Sequence, residues 1–277
     1  MPQDAFILTI AGTDPCGAAG IQADLHVIRD HGFAGASVIT AVLAQHTGGV
    51  QAIWPMSAAQ LTAQLDSALS DLPIAAVKLG LIPTPEAAHA IQAALLRALP
   101  ADAPVVLDPV LASGDGRRAL VAPGTEEALL TLLSSLRERG HPTVITPNAP
   151  EAARLTGQPV ETLDHALVAA AKLAAACGAA LLKAGHLARE GAKVRDVWAE
   201  AGQGACALAA LPAIDEDVRG TGCHLSSALA CQLASGLPAQ QAAEAARRYL
   251  NTLLTASRWR PGAGRSILRH HTQQEPG

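Results

Sequence analysis

Aromatic side chains are scarce: Phe, Trp and Tyr together make up 2 % of the 277 residues. The core must therefore be built from Ala, Leu, Val and Ile, which suits helices packed closely on a sheet better than an aromatic-rich β-sandwich. Hydrophobic residues reach 49 %, enough to bury a sizeable core. A basic excess is lacking too. The formal net charge is −4, and no stripe or run of Lys and Arg occurs, which argues against a nucleic-acid partner. Met1-Pro2-Gln3-Asp4 opens no basic region followed by an apolar stretch, so no signal peptide is expected. No apolar run approaches the roughly 20 residues that span a bilayer. The alanine-rich stretch 166–180 comes nearest, but Lys172 and Cys177-Gly178 mark it as a helix of a soluble protein. Cys16, Cys177, Cys206, Cys223 and Cys231 are odd in number, scattered and free of any CxxC pair. That excludes a disulfide framework and a structural zinc site, and points to reduced thiols in the cytoplasm.

Two nucleotide motifs are missing as well. No Gly-x-x-x-x-Gly-Lys-Ser/Thr occurs, and no Gly-x-Gly-x-x-Gly follows the first strand, which removes a P-loop and weakens a dinucleotide reading. His186, His224 and the His270-His271 pair form no recognisable ligand set; the last two read as a solvated tail.

What is present is a regular alternation. β-Branched runs at Ala5–Ile10, Ser37–Val42, Ile74–Leu79, Val105–Leu107, Thr143–Thr146 and Ala180–Lys183 read as strands. Between them lie helical stretches at Ile21–Asp30, Ala58–Ser70, Pro85–Leu99, Thr125–Arg139, Ala149–Leu155 and Leu163–Cys177. Such an alternation specifies an α/β fold, a parallel sheet covered on both faces. After Gly185 come two short antiparallel strands, Val194–Ala199 and Cys206–Leu211, and two closing helices, Cys223–Ser235 and Ala239–Ala256. No linker composition interrupts residues 1–277, so one domain is expected.

Ligands of open parallel sheets bind beyond the carboxyl ends of the strands. There the chain places Gly12-Thr13-Asp14, Lys78-Leu79-Gly80-Leu81, Asp108-Pro109-Val110, Thr146-Pro147-Asn148 and Lys183-Ala184-Gly185. Arg219-Gly220-Thr221-Gly222-Cys223 precedes an apolar helical run. Backbone N–H groups and the helix dipole make such a start an anion hole for a transferring phosphoryl group. Cys223 would there be biased towards thiolate and able to accept a hydroxyl proton. The plainer reading is a glycine turn capped by Thr221, with Cys223 as core filler. Asn148, one of two asparagines in the chain, either N-caps a helix or joins Glu151 and Asp108 around hydrated Mg²⁺. Lys183, ending an apolar strand, needs a phosphate or a carboxylate. Gln45 offers an amide that both donates and accepts, as an aminated heteroaromatic ring requires; it also reads as an ordinary loop glutamine.

Taken together, these blocks resemble the hydroxymethylpyrimidine/phosphomethylpyrimidine kinases of thiamin synthesis, a branch of the ribokinase-like family. The anchors are Ala11–Pro15 with Gly20–Leu25, Ser37–Ala41 with Ala44-Gln45, Val77–Gly80, Asp108–Val110, Thr146–Asn148 with Glu151, and Gly220–Cys223 with Leu225–Ser227. The resemblance implies a three-layer αβα fold around a mostly parallel sheet, and a homodimer. It implies phosphoryl transfer from MgATP to a pyrimidine alcohol and then to its monophosphate. Cys223 would be the proton acceptor and Gly220, Thr221 and Gly222 the anion hole. Gly12, Ala19, Gln45, Leu81 and Val110 would line the pyrimidine pocket; Asn148, Lys183 and Thr221 would hold ATP; Asp108 and Glu151 would organise Mg²⁺ through water. A pyridoxal kinase of the same fold and a non-catalytic relative are the alternatives. The chain departs from the family at Asp217-Val218-Arg219, where Asn-x-His is usual, at His224, at Gly264-Arg265 and in the shortened loop Leu111–Gly114.

Overall fold

The computed structural model describes residues 5–114, 116, 118–256 and 258–270. The chain begins with β1 (Phe6–Ala11), α1 (Gly20–Asp30), β2 (Ala34–Ile39) and a hairpin of β3 (Ala41–His46) and β4 (Gly49–Pro55). Next come α2 (Ala58–Asp71), β5 (Ile74–Leu79), α3 (Pro85–Ala98), β6 (Val105–Leu107), α4 (Thr125–Glu138) and β7 (Thr143–Ile145). Helices α5 (Ala149–Thr156) and α6 (Leu163–Cys177) lead to β8 (Ala179–Leu182). Short strands follow: β9 (Arg189–Glu190), β10 (Lys193–Val194), β11 (Val197–Glu200), β12 (Gly204–Ala207), β13 (Leu211–Pro212) and β14 (Val218–Arg219). The chain closes with α7 (Thr221–Ala234), α8 (Ala239–Ala256), β15 (Arg258–Trp259) and β16 (Ser266–Leu268).

Eight strands form the central sheet in the order β12-β11-β8-β7-β6-β5-β1-β2. From β2 to β8 every neighbouring pair is parallel; β11 and β12 extend the β8 edge antiparallel. Local chemistry starts the crossover helices where the sequence placed them. Ser57 and Gln60 form a capping box on α2, Thr84 caps α3 ahead of Pro85, and Thr162 caps α6.

The pleat sorts the strand residues onto two faces. Leu8 and Ile10, Val77 and Leu79, Val105 and Leu107, Ile145, Ala180 and Leu182 pack against α2, α3, α4, α5 and α6. Ile7, Ala76, Val106, Val144, Ala179 and Leu181 pack against α1, α7 and α8. The second face is built on small residues, with Ala228 and Ala230 of α7 fully buried beside Ala76. That lets α7 lie close to the sheet. It also carries buried charge, described below.

The structure corrects the reading in three places. The strand expected over Ser37–Val42 breaks at Thr40, whose N–H donates to Ala11 O and whose hydroxyl donates to Leu81 O. Beyond it the chain leaves the sheet and pairs β3 with β4, a strand the reading left blank. The two late strands are each divided: β11 and β12 join the main sheet, whereas β10 and β13 pair in a small separate one. Finally, β14, β15 and β16 form a three-stranded sheet where only helix and tail were expected. His270 follows β16 and docks on the body, half-buried; His271 lies outside the described residues.

Candidate active site

The loops at the carboxyl ends of β1, β5, β6, β7 and β8 and the first turn of α7 enclose one cavity of about 540 Å³. All thirteen residues singled out above, Gly12, Ala19, Gln45, Leu81, Asp108, Val110, Asn148, Glu151, Lys183, Gly220, Thr221, Gly222 and Cys223, line it. They arrive from seven separate stretches of chain.

Helix α7 begins without a side-chain cap. Its N-cap is Gly220 in the left-handed conformation (φ +83°), so Thr221 does not play the capping part allowed by the plainer reading. Only glycine fits: a Cβ on Gly220 would stand 1.7 Å from the carbonyl oxygen of Ala18. Two turns of chain are thereby pressed together, and the uncapped N–H groups at the start of α7 are left facing the cavity.

Cys223 departs from expectation in its charge. Burial pushes its thiol up to about 12, with Asp24 and Asp108 adding to the rise and the Lys78 cation and the Gly20 N–H opposing it. Desolvation outweighs the helix dipole at this position. Burial here favours the neutral thiol over the thiolate.

Behind the helix start, Lys183 Nζ lies 3.0 Å from Asp108 Oδ1. Burial disfavours the Lys183 charge, but Asp108 and Glu151 together raise its pKa. Gly222 makes room for the pair: a Cβ there would sit 3.0 Å from Asp108 Oδ2 and 3.2 Å from Lys183 Nζ. Asn148 and Glu151 form a reciprocal capping box on α5. Asn148 Oδ1 accepts from the Glu151 N–H at 2.9 Å, and Glu151 Oε2 accepts from the Asn148 N–H at 2.8 Å. Capping thus occupies one oxygen of each side chain. Burial pushes the Glu151 carboxyl up to about 7, Lys183 pulling it down and Asp108 pushing it further up.

The opposite wall is apolar. Ala41 and Leu43 of β3, Leu81 and Leu120 pack with Val50, Ile53 and Val110. Gln45 stands at its edge, with Nε2 donating to Thr13 O at 2.9 Å and Oε1 accepting from the Arg219 guanidinium.

Two groups escaped the reading of the sequence. Lys78 and Asp24, both fully buried, form an ion pair on the α1/α7 face of the sheet, with Lys78 Nζ 2.9 and 2.8 Å from the two carboxylate oxygens. Thr9 Oγ1 (2.6 Å) and Ser227 Oγ (2.9 Å) donate to the same carboxylate. A charge inside the apolar run Ile74–Leu79 and another on the apolar stripe of α1 were the available signal, since buried charges need partners. His26, His224 and His270 stack, with ring centroids 5.0 and 5.1 Å apart and His270 Nδ1 2.7 Å from Asp30. Nothing in their sequence spacing brings these three together.

A second cavity, of about 410 Å³, opens beside the first and shares Lys183, Gly185, Asp217, Val218 and Thr221 with it. Leu211, Ile214, Leu225, Leu250 and Leu254 give it an apolar lining.

Known proteins share this fold. The ADP complex of Bacillus subtilis pyridoxal kinase matches with a TM-score of 0.82 at 27 % identity, covering 96 % of this chain and 97 % of that one. The phosphomethylpyrimidine kinase of Clostridium difficile 630 matches with a TM-score of 0.74 at 32 % identity, over 90 % of this chain and 98 % of that one. The fold is thus that of the ribokinase-like kinases, and the protein is a phosphotransferase. Sequence narrows the class. Residues 14–269 match the phosphomethylpyrimidine kinase family model. The hydroxymethylpyrimidine/phosphomethylpyrimidine kinase of Rhizobium meliloti is 39 % identical over 272 residues, 96 % of this chain and 97 % of that protein. The thiamine biosynthesis multifunctional protein ThiED of Corynebacterium efficiens is 40 % identical over 251 residues; the match takes in 90 % of this chain but 32 % of that longer protein. The chain belongs to the phosphomethylpyrimidine kinase family.

Proposed function

We propose that this protein transfers the γ-phosphoryl group of ATP to the hydroxymethyl oxygen of 4-amino-5-hydroxymethyl-2-methylpyrimidine, and then phosphorylates the monophosphate, in cytoplasmic thiamin synthesis. The observation that carries the reading is the uncapped start of α7, which opens into one cavity with the Asp108–Lys183 pair on one side and Gln45 on the other. An anion hole between a phosphate-binding corner and a ring-binding wall is what transfer from a nucleotide to a flat alcohol requires.

The ring lies against Leu43, Leu81 and Val110, with its amine and ring nitrogen towards Gln45. The triphosphate extends from the Asn148–Lys183 corner, its base towards the second cavity. The substrate oxygen bonds to the γ-phosphorus as the bond to the β-phosphate oxygen breaks and ADP departs. The N–H groups of Thr221, Gly222 and Cys223 hold the charge spread over the transferring oxygens. Cys223 faces the attacking hydroxyl and orients it, and the hydroxyl proton passes late to an oxygen of the transferring phosphoryl group, in keeping with a loose transition state.

Among the described residues no three His, Cys, Asp or Glu side chains gather as a metal site. Two carboxylates, Asp108 and Glu151, do line the phosphate corner, and burial is the main cause that raises Glu151. That donor set suits a Mg²⁺ held through water and phosphate oxygens rather than by protein alone. When bound, the ion would neutralise phosphate charge.

One kinase domain over residues 1–277 is supported by the unbroken central sheet with α7 and α8 packed on it. A homodimer is supported by the β3–β4 hairpin, whose register-paired Val42 and Trp54 are 40 % and 57 % exposed. No helix among the described residues is long and apolar enough to cross a membrane.

The likeness to a pyridoxal kinase keeps a hydroxypyridine alcohol as second candidate substrate. The test is incubation with MgATP and the pyrimidine, with mono- and diphosphate products resolved by mass, beside Cys223→Ala and a pyridoxal competition. Both products, lost in the variant, are expected. Turnover of pyridoxal alone would reassign the substrate.

A further inference from the structure

We infer that Arg219 is a specificity-determining positioning residue that locks the amide of Gln45 in the orientation that reads an aminopyrimidine edge. The inference rests on the proposed ring site.

Arg219 is 6 % exposed, in β14 directly before the Gly220 turn. Its Nε lies 3.4 Å from Asp14 Oδ2, and its Nη2 donates to Gln45 Oε1. Asp14 is 1 % exposed and is itself fixed: its Oδ1 accepts from the Cys16 N–H at 3.1 Å, and its N–H donates to Gln22 Oε1 at 2.8 Å. On its other side the Gln45 amide donates from Nε2 to Thr13 O at 2.9 Å.

A free glutamine amide has two orientations of nearly equal energy. Here they are not equal. Rotating the amide by half a turn would set its N–H groups against the guanidinium and its oxygen against the Thr13 carbonyl, two repulsive contacts in place of two hydrogen bonds. One edge of the planar guanidinium reaches the carboxylate and the amide together, which a lysine ammonium cannot do in the same way.

An amide carries two N–H donors and two acceptor lone pairs. Thr13 and Arg219 take one of each, leaving one donor beside one acceptor at the cavity wall. That pair matches a ring nitrogen next to an exocyclic amine. Pyridoxal carries no such edge, because a methyl-bearing carbon separates its ring nitrogen from its hydroxyl. Arg219 thus makes Gln45 a reader of one chemical class of ring.

The experiment measures KM and kcat for the aminopyrimidine, and the affinity for pyridoxal as substrate or competitor, in wild type, Arg219→Lys and Arg219→Met. Melting curves run alongside. Arg219→Lys keeps a cation for Asp14 and loses the bridge to Gln45. Its expected signature is a rise of about tenfold in KM for the aminopyrimidine, the worth of one oriented hydrogen bond, with kcat nearly kept and pyridoxal affinity unchanged. Arg219→Met is expected to show the same split with a lower melting point. Equal losses for both ligands, or an unfolded Arg219→Lys, would make Arg219 a scaffold residue and overturn the inference. A wild-type protein that turns over no aminopyrimidine would instead sink the proposed function, and this inference with it.

Discussion

Replacing Lys78 by Met removes the ammonium that touches both oxygens of Asp24, yet leaves that carboxylate sealed between β1, β5 and α7. Breaking a buried pair on one side costs about 3–5 kcal/mol, because the remaining charge keeps its desolvation penalty. At about 2 °C per kcal/mol for a chain of this size, the melting point should fall by about 6–10 °C. Asp24→Asn alone strands the ammonium in the same way. The double variant Lys78→Met/Asp24→Asn leaves no buried charge and keeps an amide for Thr9 or Ser227. It should therefore be more stable than either single variant, with a coupling of about 3 kcal/mol in urea unfolding. Chemistry follows the same sign. Lys78 opposes the rise of the Cys223 thiol, so Lys78→Met should slow alkylation of Cys223 by iodoacetamide several-fold at fixed pH. Single variants within about 1 kcal/mol of wild type, or a double variant whose loss equals the sum of the singles, would refute this account of the pair.

Gly220→Ala places a Cβ against Ala18 O in a left-handed backbone; the overlap adds to the roughly 1–3 kcal/mol of backbone strain, so it should cost more than about 3 kcal/mol and lower kcat at least tenfold, read by unfolding and steady-state assays. Glu151 is raised to about 7 from an ordinary 4.5. The stability that its neutral form confers is complete below pH 4.5 and is lost as pH rises through about 7. Glu151→Gln should flatten that fall, and binding of MgATP to wild type near pH 7 should release protons, seen as a buffer-dependent heat. Burial lowers His224 to about 4 from 6.5. Its contribution of about 3 kcal/mol is present above pH 6.5 and lost as pH falls through 4; His224→Phe should remove that acid-limb slope in pH-dependent unfolding.

The central layer was legible because its signals are local. The β-branched runs, the caps at Thr84, Asn148 and Thr162, and the polar residues at strand ends all act within a few positions of one another, and every crossover helix begins within a residue of its expected start. What stayed hidden depends on distant partners. Lys78 and Asp24 are 54 positions apart, Arg219 and Gln45 174. The break at Thr40 is set by Ala11 and Leu81 on other loops, which no β-propensity records. Cys223 shows a local rule opposed: its place at a helix start favours a thiolate, whereas desolvation favours the thiol. Asn148 and Glu151 form the capping box that the plainer reading expected, and the same two residues also line the cavity.

The division of the sheet into two unlike faces bears on how this protein tolerates change. Substitutions facing α2, α3, α4, α5 and α6 meet mainly aliphatic neighbours, so a neutral drift of Leu, Ile, Val and Met there alters melting temperature and little else. On the α1 and α7 side, Thr9 and Lys78 of the same sheet meet Asp24 of α1 and Ser227 of α7 in a buried polar cluster whose charges act on Cys223. There a change of one charge reaches the Cys223 thiol without passing through solvent. A saturation scan would find robustness and activity written on opposite sides of the same strands, alternating residue by residue along β1 and β5.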